Sequence, residues 1–253
     1  MPSDERQFKD HFSALAAGYG RFRPNYSSDL FNHLSSLTPE HKLAWDCATG
    51  TGQAALSLAD CFDKVIATDA SPQQVEQAKK HPCVEYRVAA AENSGLEAGS
   101  VDLITVAQAL HWFDIPQFMR EAKRVLKSKG VIALWTYNLF RVTPEIDAVI
   151  DNLYWNTLDG YWAPERKMVE SGYADLDMPF QEVALPIFEM SANWSLPQLL
   201  GYLGTWSAIG KYREIEGVNP LVETTVTLQQ LWGDLSLQKE ISWPLSVRVG
   251  VNT

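Results

Sequence analysis

The 253-residue chain is 46% hydrophobic and 21% charged, enough apolar material for one sizeable α/β core with additions. Its 21 Lys and Arg against 31 Asp and Glu give a net charge of −10, which argues against broad phosphate-backbone contact, and no apolar run is long enough to span a bilayer. Cys47, Cys61 and Cys83 fit neither a zinc nor a CxxC spacing, and the opening MPSDERQFKDHF lacks the apolar stretch of a secretory signal; the expectation is a cytoplasmic protein with reduced thiols, no bound metal, no nucleic-acid or membrane partner, and a monomer by default.

Residues 7–37 read as helical, with a break at Phe22-Arg23-Pro24-Asn25-Tyr26 where the proline pushes Arg23 out of helical dihedrals. Strands and helices then alternate. A short apolar strand at 43–47 leads into Thr49-Gly50-Thr51-Gly52 and a helix over 53–61, and a second strand at 64–68 is ended by Asp69. Ser71-Pro72-Gln73-Gln74 reads as a helix start, with Ser71 as cap and proline in the first turn, for a helix running to about residue 80. Strands follow at 83–88 and 101–106, then a helix from Asp114 to about residue 127 stopped by Gly130, then a strand at 131–137. This alternation implies parallel strands with right-handed crossovers.

The second half changes character. Helices are expected from Thr143-Pro144 to about residue 155 and over 164–171. The segment 181–189 alternates like a strand, with Val183, Leu185 and Ile187 on one face. Residues 191–238 read as helical and aromatic-rich, with a capping box at Ser195-Leu196-Pro197-Gln198, and 241–249 alternate as a final strand. The chain therefore reads as a single domain over 1–253, with a Rossmann-like core at about 40–140, an N-terminal helical cap at 5–38 and a helical insert at about 191–238.

The strongest local signal is Asp46-Cys47-Ala48-Thr49-Gly50-Thr51-Gly52-Gln53, a glycine loop between a buried strand and a helix. Glycines let the chain turn sharply and let a ligand touch main-chain atoms, and the helix offers its positive end. Asp69 ends the next strand, where a carboxylate can accept bonds from both ribose hydroxyls of an adenosine. The same layout serves dinucleotides, and Gly50-Thr51-Gly52-Gln53-Ala54-Ala55 satisfies the loose GxGxxG/A pattern. Asp46 separates the two: a carboxylate repels a pyrophosphate but suits a ligand that carries an ammonium group.

The run from Asp46 to Gly52 resembles motif I of class I S-adenosylmethionine (SAM)-dependent methyltransferases, D-x-G-x-G-x-G, with Ala48 in place of the first glycine. Asp69, with Ala70 beside it, matches the ribose-binding acid of motif II. Ala89-Ala90-Ala91-Glu92 followed by Gly99-Ser100-Val101-Asp102 resembles the adenine segment, with Ala90 where relatives often carry an acid, and Val106 to Trp112 resembles motif IV. Phe12, Tyr19 and Arg23-Pro24-Asn25-Tyr26 are similar to the N-terminal signature of the type 11 group that includes trans-aconitate methyltransferase. The runs 161–166, 206–208 and 243–245 resemble the embryo-abundant type of methyltransferase.

This resemblance implies a doubly wound, seven-stranded, mostly parallel sheet with an antiparallel final strand, and SAM as cofactor. It implies cofactor contacts from Tyr19, Arg23, Asp46, Ala48, Thr49, Gly50, Gly52, Asp69, Ala70, Ala91, Glu92 and Gln108. His111 is the candidate base; Trp112, Trp135, Tyr137 and Trp206, together with Trp162, are candidate pocket walls. Arg23 is the candidate grip for a carboxylate of SAM or substrate, with Lys211, Tyr212 and Arg213 as further anion contacts. The expected acceptor is a small molecule with a carboxylate or hydroxyl oxygen. Three alternatives stay open: an RNA or protein methyltransferase, a SAM-binding protein without catalysis, and an NAD-dependent oxidoreductase.

Overall fold

The computed structural model describes residues 24–253, so Phe12, Tyr19 and Arg23 lie outside the described residues. The chain runs through α1 (Ser28–Ser36), β1 (Leu43–Cys47), α2 (Gln53–Leu58), β2 (Lys64–Asp69), α3 (Pro72–Gln77), β3 (Val84–Val88) and β4 (Val101–Ala107). A 3-10 turn at Leu110–Trp112 leads to α4 (Ile115–Val125) and β5 (Leu126–Tyr137). The sheet order is β3-β2-β1-β4-β5, all parallel, as the alternation of strands and helices requires. Ser71 caps as expected, its hydroxyl accepting from Gln74 N, and Asp114, expected to open a helix, accepts from Gln117 N.

The final strand, β8 (Lys239–Val251), lies antiparallel against β5. Beyond it, β6 (Gln181–Glu182) and β7 (Phe188–Trp194) pair with opposite ends of β8, so these two segments share the seventh position of the sheet. The unbroken strand expected at 181–189 is therefore split. Pro186 has no N–H to give a ladder, and Ile187, placed by the alternation on a shared face, is 94% exposed. The start of the expected helical run is a strand instead: Met190 and Trp194 of β7 are buried, opposite Trp243 and Lys239. β5 also begins at Leu126, earlier than expected, with Gly130 inside it; a Cβ there would stand 2.9 Å from the Lys127 carbonyl oxygen.

Strand residues alternate between two buried layers. Ala44, Val131, Ala133 and Trp135 pack with α1, α2 and the later helices, whereas Trp45, Cys47, Ile132 and Leu134 pack with α4 and Tyr173, Leu176, Met178 and Phe180. The later helices are α5 (Pro144–Asn152), which continues into a π-turn at Leu153–Thr157, then α6 (Arg166–Glu170), α7 (Leu196–Gly204), α8 (Ser207–Glu216) and α9 (Leu221–Trp232). No helix among the described residues is long and apolar enough to cross a membrane.

Candidate active site

The loop after β1 turns through three left-handed residues: Ala48 at φ 55°, Gly50 at φ 57° and Gly52 at φ 89°. Ala48 thus takes the conformation that glycine usually supplies, at a cost of about 1 kcal/mol. A Cβ built on Gly50 meets nothing nearer than Gln74 Oε1 at 3.8 Å, so the backbone there is open to a ligand. One built on Gly52 would collide with the Tyr86 ring, so this glycine serves packing as well as turning.

Asp46 is 1% exposed at the end of β1. Thr49 Oγ1 donates to its Oδ2 at 2.5 Å, and Thr105 Oγ1, the register partner on β4, donates to its Oδ1 at 2.7 Å. Burial pushes its carboxyl up to about 6, against the pull of these hydroxyls and of the Ala55 backbone. Asp69 is buried at the end of β2; its Oδ2 accepts from Gly50 N at 2.8 Å and its Oδ1 from Ser71 N at 2.9 Å. The loop and both carboxylates therefore form one connected unit across the exits of β1 and β2. Gln53, first in α2, donates to Pro24 O at 2.7 Å and Asn25 Oδ1 at 3.1 Å, which docks the Pro-Asn-Tyr segment onto the loop helix.

The other expected cofactor residues surround this unit. Ala70 is exposed beside Asp69, and Ala91 is buried. The Glu92 carboxylate accepts from Asp114 N at 2.8 Å, so its side chain is engaged in holding the entry to α4. Gln108 has φ 57°; its amide donates to Tyr137 O and accepts from Thr136 Oγ1, each at 2.7 Å, which ties the exit of β4 to that of β5. A strained residue held this firmly is typical of a binding loop.

The expected pocket residues fall in three places. Trp135 and Tyr137 are buried, with Trp135 packed edge-on against Tyr26 and Phe31. Trp112 is 38% exposed and lies 4.8 Å from the His111 ring. Trp206 joins an aromatic group with Tyr154 and Trp162, at 5.7 and 5.6 Å. His111 Nδ1 lies 3.3 Å from Tyr173 Oη, and burial, helped by repulsion from Arg166, lowers its pKa to about 4. Lys211 and Arg213 are on α8, and the Arg213 guanidinium bonds to Asn219.

Sequence reasoning missed Thr105, Gln53, Tyr173, Asn138 and the role of Arg166. Thr105 had a readable signal, a hydroxyl in the apolar run of β4 beside a strand bearing an acid. In the segment 154–173 the signals were the resemblance of the run 161–166 and the candidate wall Trp162; Tyr173 and the position of Arg166 gave none, because the segment reaches the site across a long excursion: Tyr173 meets His111 just after β4, and Arg166 meets Asn138 just after β5.

SAM combines an ammonium group, a ribose diol and a sulfonium. A buried carboxylate at an open, left-handed loop, with a second carboxylate on the neighbouring strand, fits that donor and charge pattern. Comparison with known proteins agrees. The methyltransferase domain family model matches residues 45–134. A Dictyostelium discoideum protein named as a methyltransferase is 38% identical over 226 residues, covering 88% of this chain and 86% of its own. CRG1 of Saccharomyces cerevisiae, named as an S-adenosylmethionine-dependent methyltransferase, is 28% identical over 131 residues, covering 48% of this chain and 45% of its own. A solved structure from Anaeromyxobacter dehalogenans, titled as a type II methyltransferase, has 44% identity and a TM-score of 0.88 over 91% of this chain and 98% of its own. The chain belongs to the class I, type 11 methyltransferase family and is a SAM-dependent methyltransferase.

Proposed function

We propose that the protein methylates an oxygen of a small-molecule acceptor bound over the exits of β4 and β5. The observation that carries this is the cover over those exits. Tyr173 is tied to His111 and Arg166 to Asn138, with Tyr154, Trp162 and Trp206 behind them. Strand exits covered by this many aromatic side chains suit a compact acceptor more than a folded RNA or protein.

SAM supplies the methyl group on a sulfonium whose charge is lost in the transfer. Asp46 would hold the ammonium, Asp69 the ribose, and the backbone at Ala91 the adenine edge. The Gln108 backbone would lie near the sulfonium, its side chain being engaged with β5. Bound there, SAM would supply a methyl whose S–C bond breaks with its electron pair left on sulfur as an acceptor oxygen forms the C–O bond. An anionic oxygen gives neutral products with no proton to move, whereas a hydroxyl must also lose one. His111, held to about 4, is a poor base at neutral pH, which favours an oxygen that is already anionic.

Calorimetric titration with SAM, S-adenosylhomocysteine and NAD tests the cofactor half. Saturable binding of the first two is expected, weakened at least tenfold by Asp69→Ala, with no NAD binding. A panel of small acids, alcohols and amines with labelled SAM tests the acceptor half. Transfer only to nitrogen, RNA or protein would remove the reading.

A further inference from the structure

Arg166 opens α6 and is partly buried. Its guanidinium carbon lies 4.7 Å from the Trp162 ring centroid and 5.5 Å from that of Tyr154. Nε donates to Tyr154 Oη at 2.7 Å and Nη2 to Asn138 Oδ1 at 3.0 Å. Both acceptors are neutral, and among the described residues no carboxylate lies within 4 Å of the guanidinium. Glu170 is reached only through the Tyr154 hydroxyl, which donates to its Oε1 at 2.8 Å. A partly desolvated, ring-stacked cation with no anion against it is costly to keep, and it is a ready site for one that arrives.

Its location selects the visitor. Asn138 directly follows β5 and His111 follows β4, while Asp46 and Asp69 end β1 and β2. In the order β2-β1-β4-β5, with neighbouring strands ~4.8 Å apart, Arg166 is anchored about 10 Å beyond Asp46. The cofactor loop is on one side of the β4 exit and the guanidinium on the other, where an acceptor facing the methyl group must stand.

We propose that Arg166 is the anion subsite of the acceptor pocket, gripping a carboxylate of the acceptor that orients the molecule. This rests on the methyltransferase reading above. The gripped carboxylate is a handle, because a guanidinium draws charge from the oxygens it binds; the reacting oxygen belongs to a second group. The substrate class is small dicarboxylic acids, in which the second carboxylate is already anionic.

The test uses the full chain with labelled SAM and a set of small dicarboxylic acids, each beside the monoamide in which one carboxylate is made neutral. The acids are expected to be methylated, and the amides to show a KM at least tenfold higher. Arg166→Gln should raise the KM for the acids tenfold or more while the calorimetric SAM Kd stays within twofold. Asn138→Asp keeps the arginine but sets a carboxylate against it, so it should raise the same KM, and it decides the matter if Arg166→Gln does not fold. An unchanged KM in a folded variant overturns the proposal. So does a loss of SAM affinity with acceptor KM unchanged, which would assign the cation to the cofactor's own carboxylate. So does methylation of neutral alcohols or amines in preference to every acid. If the wild-type protein binds no SAM, the methyltransferase reading itself falls and takes this one with it.

Discussion

Asp46 concentrates the physics of the site in one side chain. Burial raises its carboxyl to about 6, and two threonine hydroxyls keep the charged form accessible at neutral pH. At pH 7 about nine in ten molecules carry the charge, and at pH 5 about one in ten. If Asp46 holds the ammonium, SAM affinity should fall about tenfold between pH 7 and pH 5, and Asp46→Asn should be weaker at pH 7 and flat across the range. Stability moves differently. Between 3.8 and about 6 the folded form holds an Asp46 proton that the unfolded chain has released, so this group adds stability as pH falls. His111 does the reverse: its folded value of about 4 lies below 6.5, so stability is lost as pH falls through that window. The two nearly offset, so calorimetric affinity, checked against a steady Tm, isolates the binding charge. Constant affinity from pH 7 to pH 5 in folded protein would rule out the role. Asp46 was legible because a carboxylate in that loop is unusual beside phosphate. Its partner Thr105 showed in the sequence as no more than a hydroxyl in an apolar run, because the contact itself exists only once β1 and β4 are in register.

At the scale of elements, Asp102 shows how the cofactor strands are held. It is fully buried near the start of β4, where Oδ2 accepts from Lys42 N at 3.0 Å and Leu43 N at 2.9 Å, and Oδ1 from Lys127 Nζ at 2.7 Å. One carboxylate thus ties the entry of β1 to that of β4 and to β5, at the end of the sheet away from the glycine loop. Asp102→Ala would strand two backbone donors, while the Lys127 ammonium keeps Glu40 at 2.9 Å, and should cost about 2–4 kcal/mol in urea denaturation. Below the transition, SAM affinity should stay within twofold. A loss under about 1 kcal/mol would mean that water replaces the carboxylate. The parallel strands were readable because each but β3, which carries Glu85 and Arg87, holds an apolar run closed by a turn or cap. The outer edge was not: Pro186 broke an alternating segment, and the polar Ser191 and Asn193 disguised β7, whose inward residues Met190 and Trp194 join the buried core that holds Trp243.

At the scale of the whole molecule, the two halves of the candidate site were unequally legible for a geometric reason. The cofactor loop, Asp46 and Asp69 are close in sequence and follow from local pattern. The proposed acceptor side draws on 108–112, Asn138, 154–173 and Trp206, which meet because the insertions fold back over the β4 and β5 exits. That return has an energetic consequence. One cluster of buried side chains runs from Leu30 and Phe31 through Trp135 and Ile150 to Leu199, Leu228, Trp232 and Val249, so the late helices share the core of the sheet. We therefore expect the chain to unfold as one cooperative unit, with a single calorimetric transition. SAM at 100 times its Kd should stabilise that unit by ~2.7 kcal/mol and move the whole transition up by roughly 5–10 °C. Two transitions, with only the upper one moved by SAM, would mean that the late helices form a separate cap that melts off a Rossmann-like core. The acceptor roof would then be a closing element independent of the cofactor loop. A single transition that moves as a body would mean that filling the loop also stiffens the roof, because Trp135, Phe140 and Trp206 lie in one continuous packing with the strands that carry the loop.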